Sequence, residues 1–134
     1  MSFNHAVVWL DHSEAHILHF SDDASEGARV HARSKHQHQH HKSGARGSGN
    51  AGEDRKYYDE IAQVMGDAGE ILVVGPSSAK LQLMKHLERN HRAVADKVVG
   101  IESVDHPSDG QLLAYARHYF VAVDRMRGDP QANK

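Results

Sequence analysis

The sequence predicts an α/β domain on a mixed sheet, with elements in the order β-β-β, long loop, α-β-α-β-α. Three observations predict it. The first thirty residues hold short bursts of β-forming apolar residues, residues 36–52 contain no large apolar side chain, and from Glu53 onward helical and strand-like periods alternate. Strand–helix alternation implies parallel pairing, because parallel neighbours need a crossover, whereas the opening meander implies antiparallel pairing.

Asn4–Leu10 (NHAVVWL) and Glu14–Phe20 (EAHILHF) flank the turn residues Asp11-His12-Ser13 and so form a hairpin. In Gly27–Arg33, Ala28, Val30 and Ala32 alternate with Arg29, His31 and Arg33, which makes a third strand with one apolar and one basic face. Past the loop, Tyr57, Ile61, Val64, Met65 and Ala68 recur at helical spacing, predicting a helix over Glu53–Ala68. Glu70–Val74 is a short apolar strand. Gly75-Pro76-Ser77-Ser78 turns into a second helix, with Pro76 near its first turn, a Ser cap, and Leu81, Met84 and Leu87 as its buried stripe beside Leu83. Lys97–Val104 is the last strand. Asp105–Asp109 opens a third helix carrying Leu112, Leu113, Ala116, Phe120 and Val123. The 134 residues suit one domain, expected over 1–126 with a frayed tail at 127–134.

Composition limits the chemistry. With no Cys, disulfides, thiolate catalysis and Cys-based zinc sites are excluded. No apolar run approaches the roughly 20 residues that span a bilayer, and Met1–Leu10 lacks signal-peptide character, so a soluble cytoplasmic protein without a membrane partner is expected. The net charge of −2 conceals an asymmetry. Residues 31–50 hold Arg33, Lys35, Lys42 and Arg46 and no acid, a local +4 that leaves −6 for the remainder. Five of the 13 histidines (His31, His36, His38, His40 and His41) lie in the same segment and titrate near pH 6.5 when unperturbed. A basic, pH-adjustable arm on an acidic body seeks anions locally.

The order and motifs resemble the middle domain of eukaryotic and archaeal class I peptide release factors and of Pelota-type ribosome-rescue proteins, over roughly Asn4 to Val123. That resemblance implies a ribonuclease-H-like fold, shared with ribosomal proteins of the L18 and S11 kind and sometimes labelled translational machinery components. Small stand-alone bacterial proteins of this type also exist. In the family, three strands lead to a basic glycine-rich loop and a charged helix, matched here by the opening strands, Lys35–Gly52 and Glu53–Ala68. A strand ending in Gly and a helix carrying a Lys follow, matched by EILVVGPSSAK. A further strand and a helix opened by polar residues and Gly are matched by KVVGIESVDHPSDGQ. The release factors carry Gly-Gly-Gln at the loop tip, where the Gln assists water attack on the peptidyl-tRNA ester. Here the stretch reads Gly44-Ala45-Arg46-Gly47-Ser48-Gly49-Asn50, with neither Gly-Gly nor Gln. Asn50 has the amide but is one methylene shorter, and a 1 Å misplacement can cost about 100-fold in rate.

The resemblance therefore implies a translation-associated protein that binds ribosomal or transfer RNA, or the ribosome, without catalysis. Its contact set would be Arg33, Lys35, His38, His40, His41, Lys42 and Arg46 on phosphates, with Gly44, Gly47 and Gly49 permitting close backbone approach. The bland alternative is a solvated insertion, and no Phe, Tyr or Trp between Arg29 and Lys56 supplies a base-stacking platform. In an extended segment His36, His38 and His40 share a face and could ligate zinc, nickel or copper. No Cys or acid stands among them, so a basic patch without metal or other cofactor is the expectation. His16 and His19 fall on opposite strand faces and cannot share a site. Gly75–Lys80 lacks the Walker pattern and reads as a strand-to-helix turn rather than a phosphate cradle. Asp11, Glu14, Asp105 and Asp109 are the carboxylates that a two-metal nuclease on such a sheet would recruit, and they would have to converge. Two further classes stay open: an enzyme, acting on peptidyl-tRNA through Asn50 or through metal at the loop histidines, and a homo-oligomeric interaction module.

Overall fold

A computed structural model describes residues 4–32 and 48–126, with side chains placed for 4–32, 55–123 and Met126. The strands are β1 (His5–Leu10), β2 (Glu14–Phe20), β3 (Ser25–His31), β4 (Glu70–Gly75) and β5 (Val98–Ser103). The helices are α1 (Ser48–Met65), α2 (Ala79–Asn90), the single-turn α3 (Arg92–Ala95) and α4 (Asp109–Met126). The sheet runs β3-β2-β1-β4-β5. β1 pairs antiparallel with β2 and parallel with β4, β2 antiparallel with β3, and β4 parallel with β5. The sheet is thus mixed and five-stranded, as the sequence pattern predicts.

β1 is central and apolar throughout because both of its faces are covered. Ala6, Val8 and Leu10 join Ile17, Ile71 and Val73 beneath Tyr57, Ile61 and Met65 of α1 and Leu83 and Leu87 of α2. Val7 and Trp9 join Leu18, Phe20, Leu72 and Val74 beneath Leu112, Ala116 and Phe120 of α4. One layer of helices therefore lies on each face of the sheet. No helix among the described residues is long and apolar enough to cross a membrane.

Several sequence expectations shift. The third strand covers Ser25–His31 rather than 27–33, since its pairing with β2 ends at Glu14↔His31. Its alternation holds: Val30 and Ala32 are buried while Arg29 and His31 are exposed. The helix expected from Glu53 begins at Ser48, so Gly49 and Asn50 are helical rather than loop residues. On α2, Leu81 is 51% exposed and the buried stripe is Ala79, Lys80, Leu83, His86 and Leu87. The correction is rotational. Packing on α1 selects the face through Leu83 and Leu87, which leaves Leu81, two residues before Leu83, pointing away. Pro76 precedes the helix. Ser78 occupies the N-cap position without a side-chain bond, and the Ser77 hydroxyl accepts the Ala79 N–H at 3.3 Å. α4 starts with a reciprocal cap: Gln111 N–H donates to Ser108 Oγ at 3.2 Å and Ser108 N–H to Gln111 Oε1 at 2.9 Å.

Candidate functional site

The parallel strands β1, β4 and β5 end at Leu10, Gly75 and Ser103 along one sheet edge, where open α/β sheets bind ligands. The turn after β1 organises that edge. Asp11 Oδ1 accepts Ser13 N–H at 2.8 Å, Ser13 Oγ–H at 3.0 Å and Glu14 N–H at 2.9 Å. Burial raises the Asp11 pKa, but these hydrogen bonds, helped by nearby His106, outweigh it and hold the carboxyl below its ordinary value. The flanks of segment 33–47 both reach this turn. Ala32 N–H donates to Ser13 O at 2.9 Å, and Tyr57 OH of α1 donates to Asp11 O at 2.9 Å.

A polar group spreads over the outer half of the same edge. Glu14 Oε1 faces His31 Nε2 at 3.4 Å and His16 Nε2 at 3.7 Å, the latter too long for a hydrogen bond. Asp109 bridges His16 Nδ1 at 3.2 Å and Arg29 at 3.4 Å. Beyond it, Trp9 Nε1–H donates to Asp105 O at 2.7 Å and the indole meets the His106 ring at a centroid distance of 4.3 Å. Val104, Asp105, His106, Pro107, Gln111, Leu112 and Tyr115 line an open cavity of about 540 Å³. Burial, with Glu102 and Tyr119 nearby, pushes the Tyr115 phenol above its ordinary pKa, so it stands there as a proton donor.

The proposed contact residues Arg33, Lys35, His38, His40, His41, Lys42, Gly44, Arg46 and Gly47, together with the metal candidate His36, lie outside the described residues, as does 127–134. Gly49 and Asn50 fall in the first turn of α1. Asp11, Glu14, Asp105 and Asp109 have separate employments: the first closes the hairpin turn, the second and fourth pair with His and Arg. They supply no metal-binding cluster among the described residues. The Gly75–Lys80 turn is self-contained, with the buried Lys80 Nζ donating to Ser77 O at 2.6 Å.

A different cluster went unread in the sequence. Asp59 of α1, His86 of α2 and His91 at the α2–α3 junction converge, with both Nε2 atoms on Asp59 Oδ1 at 2.6 and 2.7 Å. Hydrogen bonds from His91 and then His86, against a small opposing effect of burial, hold Asp59 below the usual carboxylate range. One signal was available: His86 falls three residues after Leu83 and one before Leu87, on the inward face of its helix.

No protein-family model matches the chain, and no curated protein matches it by sequence. Solved structures match it by fold. Pelota of Thermoplasma acidophilum aligns with a TM-score of 0.62 at 16% identity, over 85% of this chain and 32% of that one. Pelota of Archaeoglobus fulgidus gives 0.60 at 12% identity, over 85% and 30%. An archaeal translation termination factor gives 0.56 at 12%, over 92% and 39%. The chain spans about a third of the length of these proteins. Identities so low speak to fold alone, and that fold is similar to the middle domain of release factors.

Proposed function

We propose that this chain is a translation-associated protein that contacts ribosomal or transfer RNA, or the ribosome, through its basic His/Gly-rich segment, without catalysing peptidyl-tRNA hydrolysis. The observation that carries the reading is that Ala32 and Tyr57, one on each side of the segment, both hydrogen-bond the Asp11–Ser13 turn. The described residues on either side of the segment thus meet at the strand-end edge of a release-factor-like sheet. The segment's four Lys and Arg side chains, without an acid between residues 31 and 50, supply the phosphate-seeking charge. The same proposal takes the sheet order as ribonuclease-H-like and residues 1–126 as one domain. It takes the chain as a stand-alone bacterial counterpart of the resembled domain, working in the cytoplasm where ribosomes are. Absence of Gly-Gly-Gln, with Asn50 in a helical turn instead of at a loop tip, supports a binding rather than a hydrolytic role.

Co-sedimentation with ribosomes tests it. Wild-type protein should pellet at low salt and be released as salt rises. If four phosphates are neutralised, the logarithmic salt slope should approach about −3. A variant with Arg33, Lys35, Lys42 and Arg46 changed to Gln should pellet weakly and lose most of that slope. Equal sedimentation of the two proteins at every salt concentration overturns the proposal.

A further inference from the structure

We propose that Asp59, His86 and His91 form a binding site for one divalent transition-metal ion of the zinc class. Their ligand atoms all lie within 4.8 Å of one another. Two imidazoles and one carboxylate suit zinc and its first-row neighbours, whereas calcium and magnesium want oxygen donors. Three protein ligands also leave a fourth position of the tetrahedron for water or an exogenous ligand.

The geometry is close to what an ion needs. With metal–ligand bonds of about 2.0–2.1 Å, tetrahedral neighbours sit roughly 3.3 Å apart. The two Nε2···Oδ1 separations of 2.6 and 2.7 Å must therefore open by about 0.6–0.7 Å. The mobile partners can supply that movement, since the Asp59 side chain is 49% and the His91 side chain 28% exposed, while His86 is fixed at 8%. The site's charge favours it too. The Asp59 carboxylate supplies the anionic oxygen donor that a divalent ion seeks.

Metal entry requires each Nε2 to present a lone pair. At His86, Asn90 Nδ2 donates to the backbone O of His86 and lies 3.2 Å from Nδ1, which places the ring proton on Nε2, toward Asp59. Binding moves that proton to Nδ1, and the Asn90 side chain must then turn away, because its Nδ2 donor cannot face a protonated Nδ1. An ion here fastens α1, the helix that resumes the chain after the basic segment, to the end of α2.

The loop histidines would also collect metal, so the test uses full-length protein in which His36, His38, His40 and His41 are changed to Asn, prepared without a metal column. Zinc titration followed by calorimetry should give one site per chain, and cobalt(II) should give the intense visible absorption of a four-coordinate ion. His91→Gln and Asp59→Asn should each weaken zinc by more than 100-fold, since each removes one of three protein ligands. Because His91 is partly exposed, His91→Gln is the variant to trust for folding, with circular dichroism as the check. Absence of saturable zinc binding, or zinc affinity unchanged in folded His91→Gln, overturns the proposal. Neither outcome bears on ribosome binding, so the two readings fail separately.

Discussion

Asp11→Ala should destabilise the protein by about 2 kcal/mol. The mutation deletes the acceptor of three hydrogen bonds, from Ser13 N–H, Ser13 Oγ–H and Glu14 N–H. A net 0.5–1.5 kcal/mol is typical for each, and the half-buried turn lets water replace part of the loss, so about 0.7 kcal/mol apiece is appropriate. With an unfolding entropy of about 2.1 cal/mol/K per residue over 134 residues, 2 kcal/mol lowers Tm by about 7 °C. Asp11→Asn keeps the Oδ1 acceptor and should lose less than half as much. The pH dependence has a definite sign. The folded Asp11 carboxyl titrates below its ordinary value, so its contribution is present above the unfolded pKa of about 3.9 and is lost as pH falls through the folded value. The gap between wild type and Asp11→Asn should therefore be widest at neutral pH and close in acid. Urea unfolding at pH 7 and thermal melts in steps down to about pH 3 read both effects. If Asp11→Ala stayed within about 0.5 kcal/mol of wild type, or if Asp11→Asn cost as much as Ala at pH 7, the turn-closing role would be refuted.

The α2 rotation makes opposite predictions for two leucines: Leu83→Ala should cost about 3 kcal/mol in urea unfolding, whereas Leu81→Ala, at a 51% exposed position, should stay within about 0.5 kcal/mol. Reversed magnitudes would mean the helix faces the other way. A Cβ at Gly100 would collide with the Tyr119 hydroxyl, so Gly100→Ala should lose about 1–3 kcal/mol. Adding Tyr119→Leu to Gly100→Ala should recover part of that loss, and a strictly additive double variant would show that the two positions do not meet.

Periodicity carried the fold a long way. The alternation of Val7, Val8, Trp9 and Leu10 between two cores and the inward stripe Tyr57-Ile61-Met65 are local patterns, legible because each face has one destination. What was not local was not legible. Leu81 and Leu83 are equally apolar, and only the position of α1 decides which is covered. The start of α1 at Ser48 runs against the poor helix propensity of Gly49 and Gly52, so composition gave no hint of it. The Asp59–His86–His91 cluster joins residues 27 and 32 positions apart on different elements. Nothing short of the helix pairing brings them together.

How α1 is held bears on what may be inferred from a shared fold. Tyr57 bonds the Asp11 carbonyl, Tyr58 OH donates to Gln82 Oε1 at 3.2 Å, Asp59 takes two imidazoles, and Ile61 and Met65 are fully buried. All of these anchors lie between residues 57 and 65. The β3 side is anchored as firmly, by pairing with β2 and by Ala32 on Ser13. The described anchors thus lie on both sides of residues 33–47. A sheet anchored outside the segment is compatible with a sequence there that has His, Lys and Arg and no Gly-Gly-Gln. Likeness to Pelota and a termination factor then speaks to the fold alone. The chemistry of residues 33–47 must be argued from their own side chains, and the Lys and Arg among them are of the type that seeks phosphate.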